Sequence, residues 1–144
     1  MENGFTSRMF KVICDGDLSC SKFLEAVRYQ AKDGTLYEIP EYCPTDFAST
    51  PRETWGPPLF LIPTGWWCLA VGGHDAAYRN LLLIVQTDGT KHLADLTEFE
   101  SNDLLLEMME SLKPNPTPLE RAQMDAIYAG VTLGGWHAFK EDRA

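Results

Sequence analysis

The stretch GGHDAAYRN, residues 72–80, sets His74 directly before Asp75 and one helical turn before Tyr78. Histidine titrates near neutrality, so in a fixed setting it can take a proton from water and return it to a leaving group. Two readings of the stretch stand side by side. In one, His74 and a carboxylate form a working pair on a close-packed helix. In the other, His74 is a satisfied core residue and Asp75 pairs with Arg79 at i, i+4 on the surface, worth about 0.3–0.5 kcal/mol and no chemistry.

The neighbours of His74 are small: Ala70, Gly72, Gly73, Ala76 and Ala77. A glycine inside a helix costs about 1 kcal/mol against alanine, so two in succession call for the close approach of another backbone or a ligand. Helical spacing puts Ala70, Val71, Ala77, Tyr78 and Leu81 on the face of His74, which aims the imidazole at a packed interior. Asp75 lies about 100° further round.

Two other acids are candidates to meet the imidazole. Asp103 follows Phe99 and precedes Leu106 by a turn or less, bordering an apolar stripe of Leu105, Met109 and Leu112. A carboxylate beside a core stripe needs a partner or suffers several kcal/mol of desolvation. Antiparallel helices would make His74 that partner; otherwise Asp103 looks out from the rim. Asp46, in CPTDFASTPR, either caps its own loop or turns inward. His92 and Asp95 read as solvated hairpin edge, and His137 as edge packing. No GxSxG, P-loop or dinucleotide fingerprint is present, and no cysteine sits in a nucleophile motif.

The elements that must position these residues are legible from turn and cap signals. FKVIC, EAVRYQA and LYEIPEY have strand composition, with an Asp-Gly turn between the last two. Val27, Tyr29 and Ala31 alternate as one covered face. Ser49 or Thr50 can cap a short turn begun by Pro51. A helix is expected over about Trp66–Leu82, with Trp66 and Trp67 anchoring its start, and IVQTDGTKHL reads as a hairpin. Thr97 and Glu100 form a capping box for a helix ending before Pro114; Thr117 and Glu120 repeat it for a last helix. That helix carries Met124, Ile127, Tyr128, Val131 and Ala138 on one stripe. The expected fold is therefore α+β, a small antiparallel strand layer from the N-terminal third packed on three main helices. Residues 1–144 are expected to form a single domain.

Bulk properties narrow the function. The chain has 144 residues, a hydrophobic fraction of 44% and a formal charge of −9. That is enough apolar material for a core, and an acidic surface without a Lys/Arg cluster disfavours nucleic acid as a partner. The longest apolar run, NLLLIVQ, is too short for a transmembrane segment, and no signal peptide is visible. Four irregularly spaced cysteines without a CxxC pair read as reduced thiols.

In order, YCPTDFASTPR, GGHDAAYR, NDLLLEMM and MDAIYAGVTLGGWHAF resemble the landmarks of a bacterial and phage family, domain of unknown function 1353. The resemblance runs from about Tyr37 to Phe139 and matches at Thr45, Asp46, Ala48, Ser49, Pro51, Arg52, His74, Asp75, Tyr78 and Asp103. The chain departs by an inserted LIVQTDGTKH hairpin and by Asn102 where the family usually has alanine. It implies a phage or prophage protein in the host cytoplasm or packaged in a virion, and no particular activity. The HDAAY helix is also similar to the active-site helix of secreted phospholipases of the A-two type. That likeness implies His74 as general base, Asp103 as its orienting carboxylate and Asp75 as a ligand of a divalent cation, for which Asp46 is a further candidate ligand. Tyr78, Ser49 and Arg52 would support them. The calcium loop and disulfide framework of those enzymes are missing here.

Two function classes follow. One is a small hydrolase, metal-assisted, cleaving an ester or amide bond with a His–Asp dyad. The other is a non-catalytic virion component or binder of a host factor, in which the His/Asp cluster is structural.

Overall fold

Val27, Tyr29 and Ala31 are all buried, while Arg28 and Gln30 between them are only partly so. This period of two is what a strand with one covered face requires. It forms β4 (Val27–Gln30), which pairs antiparallel with β5 (Leu36–Ile39) in the register Val27↔Ile39 and Tyr29↔Tyr37. The turn between them works as its Asp-Gly sequence suggests. Asp33 Oδ1 accepts from the Thr35 amide at 2.9 Å, and Gly34 takes φ +92°, which a side chain would resist.

The computed structural model describes residues 4–6, 12–13, 21–45, 56–61 and 65–143, with backbone alone at 12–13, 21 and 134–143. The main sheet adds β1 (Gly4–Phe5), β7 (Leu83–Val85) and β8 (Lys91–Leu93), in the order β1-β4-β5-β7-β8. Every pairing is antiparallel. A second sheet joins β2 (Val12–Ile13), β3 (Ser21–Phe23) and β6 (Pro44–Thr45), in the order β2-β3-β6. Among the described residues three helices complete the fold: α1 (Cys68–Tyr78), α2 (Glu98–Leu112) and α3 (Pro118–Arg143). The architecture is α+β, as expected, with one correction. The strand layer is not confined to the first third, because the 83–93 hairpin joins it through β5 and β7.

The helix boundaries have local causes. Before α2, Thr97 Oγ1 accepts from the Glu100 amide at 3.1 Å and Glu100 Oε1 accepts from the Thr97 amide at 3.0 Å. Thr117 and Glu120 repeat the exchange before α3. The first helix stops sooner than the apolar run suggests. Asn80 adopts φ +55°, and the Leu81 amide reaches back to the Ala76 carbonyl at 2.8 Å. A residue in the left-handed region just past a helix, with a bond from the next amide to an earlier carbonyl, ends it. Leu82 can then enter the core and lead into β7.

Every residue of α1 except Asp75 is buried, so this helix runs through the middle of the molecule. Trp67 at its N-cap is 1% exposed, the core anchor expected of it. Trp66 donates its Nε1–H to Gln123 Oε1 at 2.9 Å, and Gln123 Nε2 donates to the Leu59 carbonyl at 2.8 Å, tying α3 to the segment before α1. On α3, Met124 and Ile127 are buried and Tyr128 and Val131 partly so, while Ala138 lies among the residues described by backbone alone.

One buried charge fastens the sheet. Glu38 on β5 accepts from Arg28 Nε at 3.0 Å with one oxygen and from Lys91 Nζ at 2.9 Å with the other. Burial pushes the Glu38 pKa up, but the two cations outweigh it and hold the group below its ordinary 4.5. A carboxylate depressed in the folded state stabilises the fold above its unfolded pKa. That contribution is expected to be complete above pH 4.5 and lost progressively as the pH falls through the lower, folded value. Breaking a fully buried pair costs about 3–5 kcal/mol. Here the cations are 43% and 42% exposed and therefore screened, so Glu38→Gln should cost about 1–2 kcal/mol. Urea titrations at neutral and acid pH check this: the gap between wild type and variant should close below pH 4.5.

Candidate functional site around His74

The glycines of α1 answer their own cost. A Cβ built on Gly72 would lie 2.3 Å from Phe23 Cζ, and one on Gly73 would lie 2.8 Å from Met108 Sδ. What approaches closely is therefore side chains from β3 and α2, rather than the backbone or ligand that the spacing suggested. This lets α1 settle deep between its neighbours, and His74 is carried inward with it, 6% exposed.

His74 Nε2 lies 2.8 Å from Asn102 Oδ1 on α2. Tyr78, one turn along, donates its hydroxyl to the same oxygen, also at 2.8 Å, and its ring lies 4.1 Å from the imidazole, tilted by 42°. One amide carbonyl thus collects two side chains of α1. Asn102 is 4% exposed.

The expectation that Asp103 orients His74 is overturned. Asp103 is exposed and accepts from the Tyr128 hydroxyl on α3 at 3.1 Å. The physical reason is a rotation of about 100° per residue along a helix. The Thr97–Glu100 box starts α2 so that Ser101, Asn102, Leu105, Met108 and Met109 face inward. Phe99, which helped to define the supposed stripe, is 72% exposed. Asn102 shares the i, i+3, i+7 row with Leu105 and Met109, and a polar residue in that row was the signal that could have found it.

Asp75 faces away from Asn102. Its Oδ2 accepts from Thr45 Oγ1 at 2.6 Å, which joins α1 to the end of β6. The Asp75 carboxylate also bears on Cys43. Burial first, and that negative charge second, push the Cys43 thiol up to about 12. Burial does the same to Cys68, also to about 12. Both are free thiols, protonated at neutral pH and unsuited to nucleophilic attack.

Of the other expected site residues, Asp46, Ser49 and Arg52 lie outside the described residues. Among the described residues, no three His, Cys, Asp or Glu side chains gather in a way that could hold a metal ion. Asp75 is the one member of the expected Asp75/Asp46 ligand pair that is described, and it is engaged by Thr45. His92 is exposed on β8, with Nδ1 at 3.3 Å from Gln86 Nε2. No helix among the described residues is long and apolar enough to cross a membrane.

Compared with known protein families, curated proteins and solved structures, the chain matches none.

Proposed function

We propose that the protein is a small hydrolase of ester or amide bonds in which His74 acts as the base. The observation that supports this reading is the fixed imidazole, held end-on by Asn102 at 2.8 Å and flanked by the Tyr78 ring. An amide is a workable orienting group, since Cys–His–Asn sites use one in place of the carboxylate of Ser–His–Asp sites. In the reaction, the imidazole takes a proton from water while the water oxygen bonds to the carbonyl carbon. The proton then passes to the leaving alkoxide or amine as the carbonyl–heteroatom bond breaks. In keeping with the family resemblance, the protein would be phage- or prophage-encoded.

The test is a panel of chromogenic acyl esters and anilides of increasing chain length, with His74→Gln as control. Glutamine can still donate to Asn102, so the variant should stay folded by circular dichroism. Loss of a general base should lower kcat/KM by about 10²–10⁴. Equal rates in the folded variant, or no hydrolysis above background by wild type across the panel, would exclude the reading.

A second reading is favoured by the burial of His74 and by the sharing of one amide oxygen between two side chains of α1. Here the triangle is structural, and the protein works by binding a virion or host component. His74→Ala would then lower the melting temperature, while the binding function would survive in whatever fraction stays folded.

A further inference from the structure

We propose that the first turn of α1 binds one monatomic anion of the halide class, held by the indole N–H of Trp67 and the backbone amides of Leu69 and Ala70.

The first amides of any helix have no partner within it and need a cap, water or a ligand. In α2 and α3 a threonine side chain meets part of that need. The start of α1 has no side-chain cap, and no acid stands in its first turn. The Cys68 amide donates to the Gly65 carbonyl at 3.2 Å, and the Val71 amide to the Trp67 carbonyl at 3.0 Å. Between them, the amides of Leu69 and Ala70 have no acceptor among the described residues. Both residues are buried, Ala70 completely. Buried N–H groups without a partner are rare.

A third donor stands at the same end. Trp67 is 1% exposed, and its Nε1–H has no acceptor among the described residues. In a helix the Cα–Cβ bonds tilt toward the N-terminus, the direction in which the first amides also point. Trp67, with φ −82° and ψ 0°, leans the same way. Its Cε2, the carbon bonded to Nε1, would lie 2.6 Å from a Cβ built on Gly65. Gly65 is the residue whose carbonyl takes the Cys68 amide, so the indole N–H and the first amides share one end of α1. Trp66 gives the contrast, since its own Nε1–H donates to Gln123 Oε1.

The donor set selects the ligand. Three N–H groups call for an atom with lone pairs and no proton of its own to place. A water would have to place two protons beside Leu69, Ala70 and Val71, which are buried and apolar. A monatomic anion has none to place and is small enough for residues packed this closely. The helix dipole favours negative charge at this end, and offsets part of the repulsion from a chain of net charge −9.

The experiment places the full chain in sodium gluconate and titrates in sodium chloride at constant ionic strength, following the indole and backbone N–H signals by nitrogen–proton correlation. The chain has four tryptophans, and the indole signal lost in Trp67→Phe is that of Trp67. In wild type, the Trp67 indole and the Leu69 and Ala70 amides should change together along one saturable curve, while the Trp66 indole stays still. The melting temperature should rise by an equal step for each tenfold of chloride above half-saturation, as for any ligand of the folded state alone. In folded Trp67→Phe that rise should shrink. Signals that do not respond, a response that is linear and general, or a rise undiminished in folded Trp67→Phe would overturn the proposal. So would a cross-relaxation contact from the Trp67 N–H to water that chloride does not displace, which would make the acceptor a buried water. Should Trp67→Phe fail to fold, the indole is assigned through its own ring protons and the wild-type curves still decide.

Discussion

Adding one methyl group at Gly72 is expected to cost roughly 3 kcal/mol, near the top of the range for overpacking a core. The new Cβ would sit 2.3 Å from Phe23 Cζ and 2.7 Å from Cε2. Phe23 is fully buried, and its flat ring cannot retreat unless β3 moves with it. The gain in helix propensity, about 1 kcal/mol, offsets only part of the strain. Gly73→Ala meets a softer neighbour. Its closest atoms are Sδ and Cε of Met108, at 2.8 and 2.9 Å, at the far end of a flexible thioether. Denaturant titration should therefore rank Gly72→Ala well below Gly73→Ala. Trimming the obstructing ring should rescue part of the loss, so Gly72→Ala with Phe23→Leu should cost less than the sum of the two. Additive costs, or the opposite ranking, would show that Phe23 is not what excludes a side chain from position 72.

Asn102→Leu is expected to bring a comparable loss for an unrelated reason. The substitution fills the same space but withdraws the shared partner of two buried groups, His74 Nε2 and the Tyr78 hydroxyl. Each group deprived of this bond loses about 1–3 kcal/mol, so the pair should lose roughly 2–6 kcal/mol. At about 4 °C per kcal/mol for a chain of this size, the melting temperature should drop by on the order of 10 °C. Asn102→Asp retains the acceptor and should lose less. A melting temperature unchanged in Asn102→Leu would show that the triangle contributes nothing to the fold.

What the sequence made legible was local. The two capping boxes, the Asp33-Gly34 turn and the alternation of Val27, Tyr29 and Ala31 depend on residues a few positions apart, and each forms as expected. Three features depended on distant partners and escaped. The choice between Asn102 and Asp103 as partner of His74 turns on a one-residue rotation of α2, which the packing of Met108 and Met109 fixes more firmly than Phe99 can. The early end of α1 needs Asn80 in the left-handed region, and nothing in an apolar run announces that. The hairpin at 83–93 was foreseen, but its place in the main sheet was not, because β5 recruits it from beyond a helix. For His74 itself, helical spacing alone aimed the ring inward, and the ring is buried. Asp75 was correctly set on another side of the helix, where it meets Thr45.

The way β5 is flanked bears on how the chain assembles. Tyr37 pairs with Tyr29 on one side, within a tight hairpin, and with Ile84 on the other, across everything from β6 to the end of α1. The first pairing closes a short loop and can nucleate early; the second must wait until α1 has brought the chain back. During synthesis, a nascent chain that stops short of Leu83 carries β5 with one raw edge, a row of unpaired amides and carbonyls open to other strands. Release of residues 83–93 is therefore the moment at which β5 stops offering that edge to other strands.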